Sequence, residues 1–96
     1  MKDEVYWVAR PDVVVRPEGD EGEVLLFDPE TERVKVLNHT GFFVWNLLDG
    51  RHTEADVVER LSAEHASVTH DVVTGDVHAF VQDLLDLGFV ETTSAP

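Results

Sequence analysis

The stretch VKVLNHTGFFVWNLLDG, residues 34–50, constrains the fold more than any other part of the chain. Val34, Lys35 and Val36 alternate apolar and charged, the period of a half-buried strand. The pattern then changes abruptly. Asn38 or Thr40 supplies a side-chain oxygen able to cap a helix, and Phe42, Phe43, Val44, Trp45, Leu47 and Leu48 follow. Gly50 suits a left-handed stop after a helix that runs to Leu48. A short strand is thus joined directly to an oily helix, and the greasy face of the strand's sheet needs that helix as a cover.

The segments on either side extend this pattern. Upstream, VVVRP (13–17) is a β-branched run stopped by proline, EGDEG (18–22) is turn-like, and EVLLFD (23–28) is a second strand. PETE (29–32) turns the chain into RVKVL (33–37), so the second and third strands form a hairpin. Downstream, Thr53 with Asp56 resembles a capping box opening a helix over Glu54 to His65. ASVTHD is a loop. A last helix begins near Asp71 and ends before Gly88, with Val73, Val77, Phe80, Val81, Leu84 and Leu87 at helical spacing.

Phe89 to Glu91 offers a short closing strand, and TTSAP (92–96) reads as a frayed tail. Gly75 costs its helix about 1 kcal/mol relative to alanine. It therefore predicts either a start near Asp76 or a close backbone approach. Val44, Trp45 and Leu48 share one helical stripe, and Val58 and Leu61 another, as core candidates. Phe42 and Phe43 are adjacent, so at least one of them is expected at a margin or in a contact surface. The class is α+β: a three-stranded antiparallel sheet followed by a three-helix bundle, one domain over residues 1–96 with its core at about 13–91.

Composition narrows the functions. Twenty acidic residues against seven basic ones leave a net charge of −13, which repels phosphate backbones and anionic lipid, so neither nucleic acid nor a membrane surface is an expected partner. There is no cysteine, hence no disulfide and no thiolate metal site. The amino-terminal MKDEVYWVARPD lacks the apolar run of a signal peptide, no stretch reaches transmembrane length, and the expected location is cytoplasmic.

Catalytic constellations are also missing. His39, His52, His65, His70 and His78 form no i, i+4 pair, so no metal is expected. Ser62, Ser67 and Ser94 lack a nucleophile-elbow context, and the glycines form no phosphate loop. The chain is read as non-catalytic, without a cofactor.

Binding is the alternative. The third strand is the last before the chain leaves the sheet, which leaves one of its sides without a strand. Arg33 and Lys35 place charge on one face, and Val34 and Val36 occupy the other. On the residues alone this is either an ordinary guarded edge or an edge that takes up a foreign extended peptide by β-augmentation. An exposed edge also leaves a monomer and an edge-paired or swapped dimer both open.

The ordered set LNHTGFFVWNLLDG, TEADVVERL and DVHAFVQDLLDLGFV resembles the PqqD-like family, the recognition elements of ribosomally made, post-translationally modified peptides. The resemblance spans about Val13 to Glu91. It is carried by Leu37, Asn38, Thr40, Gly41, Val44, Trp45, Leu47, Leu48, Asp49 and Gly50. Thr53, Val57 and Leu61 carry it in the second helix, and Asp76, Val77, Phe80, Leu84, Gly88 and Phe89 in the last stretch.

The resemblance implies a winged-helix-like fold in which a precursor's leader peptide docks as an extra strand against the third strand, beside the last helix. Arg33, Val34, Lys35, Val36 and Leu37 would form one wall. Val73, Asp76, Val77, Phe80, Val81 and Leu84 would line the other, some of them serving the core instead. Arg33 and Lys35 would attract acidic leader side chains, and Asp76 and Asp83 basic ones. Members are non-catalytic and deliver the leader to a partner enzyme such as a radical-SAM maturase, a cyclodehydratase or a leader protease.

Two rivals remain. A winged-helix nucleic-acid binder needs a basic reading helix, whereas residues 70–87 contain no lysine or arginine. An acidic interaction subunit or carrier is the other.

Overall fold

Residues 5–19 and 22–94 are described by the computed structural model. The elements run β1 (Val5–Ala9), β2 (Val14–Glu18), β3 (Glu23–Asp28), β4 (Arg33–Leu37), α1 (His39–Trp45), α2 (Glu54–Glu64), α3 (His70–Leu87) and β5 (Val90–Ser94). Strands β2, β3 and β4 form an antiparallel sheet in that order, and β1 pairs with β5 in a separate two-stranded ribbon. The fold is α+β and winged-helix-like, with the helices covering the sheet's inner face.

Alternation on β3 decides which face is inner. Val24, Leu26 and Asp28 are buried, and the register places Leu37, Lys35 and Arg33 opposite them. Leu37 is accordingly buried. Leu25 and Phe27 face outward with Val36 and Val34 as their partners. The expected facing of β4 is thereby refined: the charged residues turn toward the helices, and Val34 and Val36 face solvent. Between the strands the Pro29–Glu32 turn closes with the Glu32 amide donating to the Asp28 carbonyl at 2.7 Å. Glu32 sits there at φ 62°, a left-handed position that a non-glycine residue seldom takes.

Helix α1 starts as expected. The Asn38 side chain accepts from the Gly41 amide at 2.7 Å. It stops at Trp45 rather than Leu48 because the next turn tightens: the Leu47 amide donates to the Val44 carbonyl at 2.9 Å and the Leu48 amide to the Trp45 carbonyl at 3.0 Å. The Ala9 amide donates to the Leu48 carbonyl and the Gly50 amide to the Trp7 carbonyl, both at 2.7 Å. Gly50, at φ 80°, turns the chain against Val8 rather than ending the helix.

Helix α2 opens on the expected capping box: Thr53 Oγ1 accepts from the Asp56 amide and Asp56 Oδ2 from the Thr53 amide. Helix α3 begins after its cap Thr69 and runs unbroken through Gly75. A Cβ placed at Gly75 meets nothing within 4 Å. The glycine therefore marks neither a late start nor a close approach.

The ribbon corrects the expected ends. VYWVA at 5–9 was not anticipated as a strand, and Thr92 to Ser94 belong to β5 rather than to a frayed tail; Ala95 and Pro96 lie outside the described residues. Val5 pairs with Ser94 and Ala9 with Val90, and the ribbon buries Trp7, Phe89 and Val90 against the core. That core continues through Leu26, Leu37, Val44, Trp45, Leu48, Val57, Val58, Leu61, Val77 and Leu84. Trp45 is the core anchor its helical stripe suggested, while Phe42 and Phe43 both sit at the margin.

One arginine ties the ribbon to the sheet. Arg10 Nη1 donates to Asp28 Oδ2 and to the Gly88 carbonyl, both at 3.3 Å. Its Nη2 reaches Asp12 and Glu30. Burial alone would raise the Asp28 carboxyl, but hydrogen bonds from the Glu30 amide and from Thr31, with the Arg10 charge, hold it below the usual carboxylate range. The arginine responds in kind: burial works against its charge, and Asp12, Asp28 and Glu30 together push its pKa up.

Candidate functional site: the free edge of β4

Strand β4 pairs with β3 on one side, and among the described residues no strand pairs with the other. Strands β1 and β5 pair with each other instead. Helix α3 runs alongside, and two side chains cross from strand to helix. Lys35 Nζ lies 2.6 Å from Asp83 Oδ2. Arg33 Nη1 donates to the Leu87 carbonyl at 2.9 Å and the Asp86 carbonyl at 3.4 Å, where the partial negative charge of the helix end favours a cation.

Toward Leu37 the space between β4, α1 and α3 opens into a cavity of about 370 Å³. Leu37, Val44, Leu61, Val77 and Phe80 supply its apolar lining, and Glu23, Lys35, Asn38, Thr40 and Asp76 its polar part. A few polar groups around an apolar hollow are what a binding pocket for a single side chain requires. Gly41 also borders it: a Cβ there would stand 3.4 Å from the Phe80 ring and 3.3 Å from Asn38 Oδ1.

The expected wall residues therefore separate. Lys35, Val36, Leu37, Asp76, Val77 and Phe80 come together around the cavity. Arg33 and Val34 extend the same edge, with the Arg33 side chain on α3 and the Val34 side chain in solvent. Val73, Val81 and Leu84 are buried in the core cluster. They share the helix's apolar stripe, but their positions on it point beneath the sheet.

Both cations expected to attract acidic side chains are engaged with α3. Asp83 is likewise held by Lys35, which leaves Asp76 and Glu23 as the exposed acids at the cavity. Sequence reasoning missed Glu23, Asn38, Thr40, Gly41, Val44 and Leu61 as cavity residues. Their appearance as a strand start, a cap, a glycine and apolar helix positions pointed to structure rather than to a site.

Two histidine contacts lie elsewhere. His52 Nδ1 is 2.8 Å from Asp49 Oδ1, and His78 Nδ1 is 3.0 Å from Glu54 Oε1. Burial would raise the Asp49 carboxyl, but His52 and the Arg51 amide bring it below its ordinary value. Among the described residues no three His, Cys, Asp or Glu side chains cluster as metal ligands, and no helix is long and apolar enough to cross a membrane.

A winged-helix-like domain with an unpaired sheet edge, a flanking helix and an apolar cavity between them has the geometry that strand addition uses. The chain itself is a member of the PqqD family: the family described as Coenzyme PQQ synthesis protein D (PqqD) matches residues 23–90. Two solved structures share the fold over most of their length. "TbiB1 in Complex with the TbiA(beta) Leader Peptide" is 26% identical, with a TM-score of 0.74, covering 88% of this chain and 94% of that one. "Lasso peptide synthetase B1 complexed with the leader peptide" is 31% identical, with a TM-score of 0.70, covering 88% and 96%. No curated protein matches the chain.

Proposed function

We propose that this protein binds the leader segment of a ribosomally made precursor peptide by β-augmentation at β4 and presents it to a separate modifying enzyme or leader protease. The observation that carries the reading is the unpaired β4 edge beside the apolar cavity. Both similar structures are complexes with leader peptides. An extended peptide added at this edge satisfies its own backbone groups and those of β4 at once. It directs alternate side chains toward α3, where the cavity accepts one anchor.

The energetics suit a carrier. Four or five edge hydrogen bonds contribute about 1 kcal/mol each net. One to three apolar anchors add roughly 1.5–3 kcal/mol each, and ordering the peptide costs ~2–5 kcal/mol or more. Association itself carries a further cost, so these terms leave a moderate affinity, able to capture a leader and to release it. The chain does no chemistry in this role; a maturase, cyclodehydratase or protease acts on the bound precursor.

The test is calorimetry with the cognate leader. Val36→Asp places a carboxylate at the cavity on a residue that is 48% exposed, so the fold survives while an apolar anchor meets a charge. Affinity is expected to fall by at least about tenfold, the worth of roughly 1.4 kcal/mol. A folded variant that binds the leader as wild type does would remove the cavity from the site.

A further inference from the structure

The solvent face of the β2–β3–β4 sheet carries an apolar patch that peptide binding at the edge does not explain. The register places Val14, Phe27 and Val34 in one row and Arg16, Leu25 and Val36 in the next. Val14, Val34 and Val36 are 41%, 53% and 48% exposed. Leu25 and Phe27 are half-buried on the face turned away from the core. Antiparallel sheets with one solvated face ordinarily show polar residues there. A contiguous apolar surface in that place marks an interaction site.

The charges around the patch state what kind of partner fits. Glu18 and Glu23 face each other across β2 and β3 at one end, and Glu30 and Glu32 are exposed in the turn at the other. Arg16 is the one cation within the two rows. We infer that this face docks the folded enzyme that acts on the bound precursor, through an enzyme surface with an apolar centre and a rim of lysine and arginine. The inference rests on the peptide-binding reading of β4 and assigns the second interface that reading requires. A second copy of this chain is disfavoured as occupant, since it brings the same acidic rim and a further net charge of −13.

Continuity with the β4 edge gives the docking a consequence. A strand added to β4 sends every second side chain onto the face that carries Val34 and Val36. The bound leader therefore widens the patch by one strand, and the enzyme meets a larger surface on the loaded protein than on the empty one. Loading and recruitment are then coupled, and by linkage the enzyme tightens the leader by the same factor.

The double variant Leu25→Thr/Phe27→Thr tests this. Both residues lie on the central strand, neither lines the cavity, and threonine keeps strand propensity. The probes are the synthetic leader and the purified enzyme encoded beside the precursor, with enzyme binding measured with and without saturating leader. Leader affinity is expected to stay within about twofold, while enzyme binding weakens at least about tenfold, as for loss of central apolar anchors. Leader is expected to strengthen enzyme binding to wild type.

Unchanged enzyme binding by the folded double variant would overturn the inference. So would a wild-type dimer in sedimentation that the double variant disperses, because the face would then belong to a second copy. Should the double variant melt early, Val14→Thr on β2 provides the same readout. Failure of the leader to bind wild type would sink the peptide reading instead, and enzyme binding to the leader-free protein separates the two failures.

Discussion

Asp83→Asn tests how the cleft beside β4 is held before a peptide enters. Lys35 Nζ and Asp83 Oδ2 are 2.6 Å apart, with side chains 31% and 48% exposed. Solvent screens a pair this open, and such pairs contribute about 0.2–1 kcal/mol. The variant should therefore lose less than about 1 kcal/mol of stability, a drop in Tm of at most about 4–8 °C for a chain of this size. Its effect on binding has the opposite sign. A leader strand whose carboxylate takes Lys35 must first displace Asp83, and removing that competitor returns the same free energy to the complex. The leader should bind up to about fivefold tighter to Asp83→Asn. The gain should shrink as salt is added.

Lys35→Met should weaken the same leader, and in the double variant the Asp83→Asn gain should vanish, because there is no cation left to free. Calorimetry on the four proteins at low and high salt closes the cycle. If Asp83→Asn weakens leader binding instead, Asp83 itself holds a basic leader residue. The assignment of Lys35 as the leader's partner would then be wrong.

Three further outcomes concern the scaffold. Gly75→Ala should stabilise the protein by about 1 kcal/mol in denaturant titration, because the position is helical, exposed and without a neighbour for the new Cβ; a loss would mean the helix does not run through residue 75. Thr53→Ala removes the cap of α2 and should cost about 0.5–2 kcal/mol in the same assay, whereas no loss would contradict the capping box. The Asp28 carboxyl lies below its ordinary value in the folded protein, so its stabilisation is present above the unfolded carboxylate pKa of about 4 and fades as pH falls through the lower folded value. Thermal melts of wild type should therefore decline over that acid window, and Asp28→Asn should show a shallower decline.

What the sequence discloses and what it conceals follow from the range of each signal. The β3–β4 hairpin, the α2 capping box and the Gly88 stop are written within a few residues of where they act, and each stands where the local pattern placed it. The β1–β5 ribbon joins Val5 to Ser94, and no local pattern reports so distant a pairing. The early end of α1 is a tightening of its last turn, with the Leu47 and Leu48 amides bonded three residues back, which a run of apolar residues does not announce.

The facing of β4 was ambiguous for another reason. Alternating valine and charge fixes a period but not which phase points inward, and Leu37 decides it by being buried at the strand's end. The site was half legible: the strand edge could be read as an edge, and Val77 and Phe80 as helix positions beside it. The cavity exists because α1, α3 and β4 converge, so Asn38, Gly41 and Leu61 join it only in three dimensions.

That phase also changes how the edge itself is understood. Natural sheets guard an open edge with charge, commonly lysine, set where a second chain would pair. Here the two cations of β4 are withdrawn from that task. Arg33 caps α3 and Lys35 pairs with Asp83, and the outward positions between them are the exposed Val34 and Val36. Strands β1 and β5 are taken up with each other, and Arg10 ties that ribbon to Asp28 and the Gly88 carbonyl. An edge stripped of its own guards, in a protein of net charge −13, meets long-range repulsion from a second copy rather than local obstruction. Local access for a less acidic peptide is thereby preserved, and this division of labour between global charge and a bare edge suits a reversible peptide carrier.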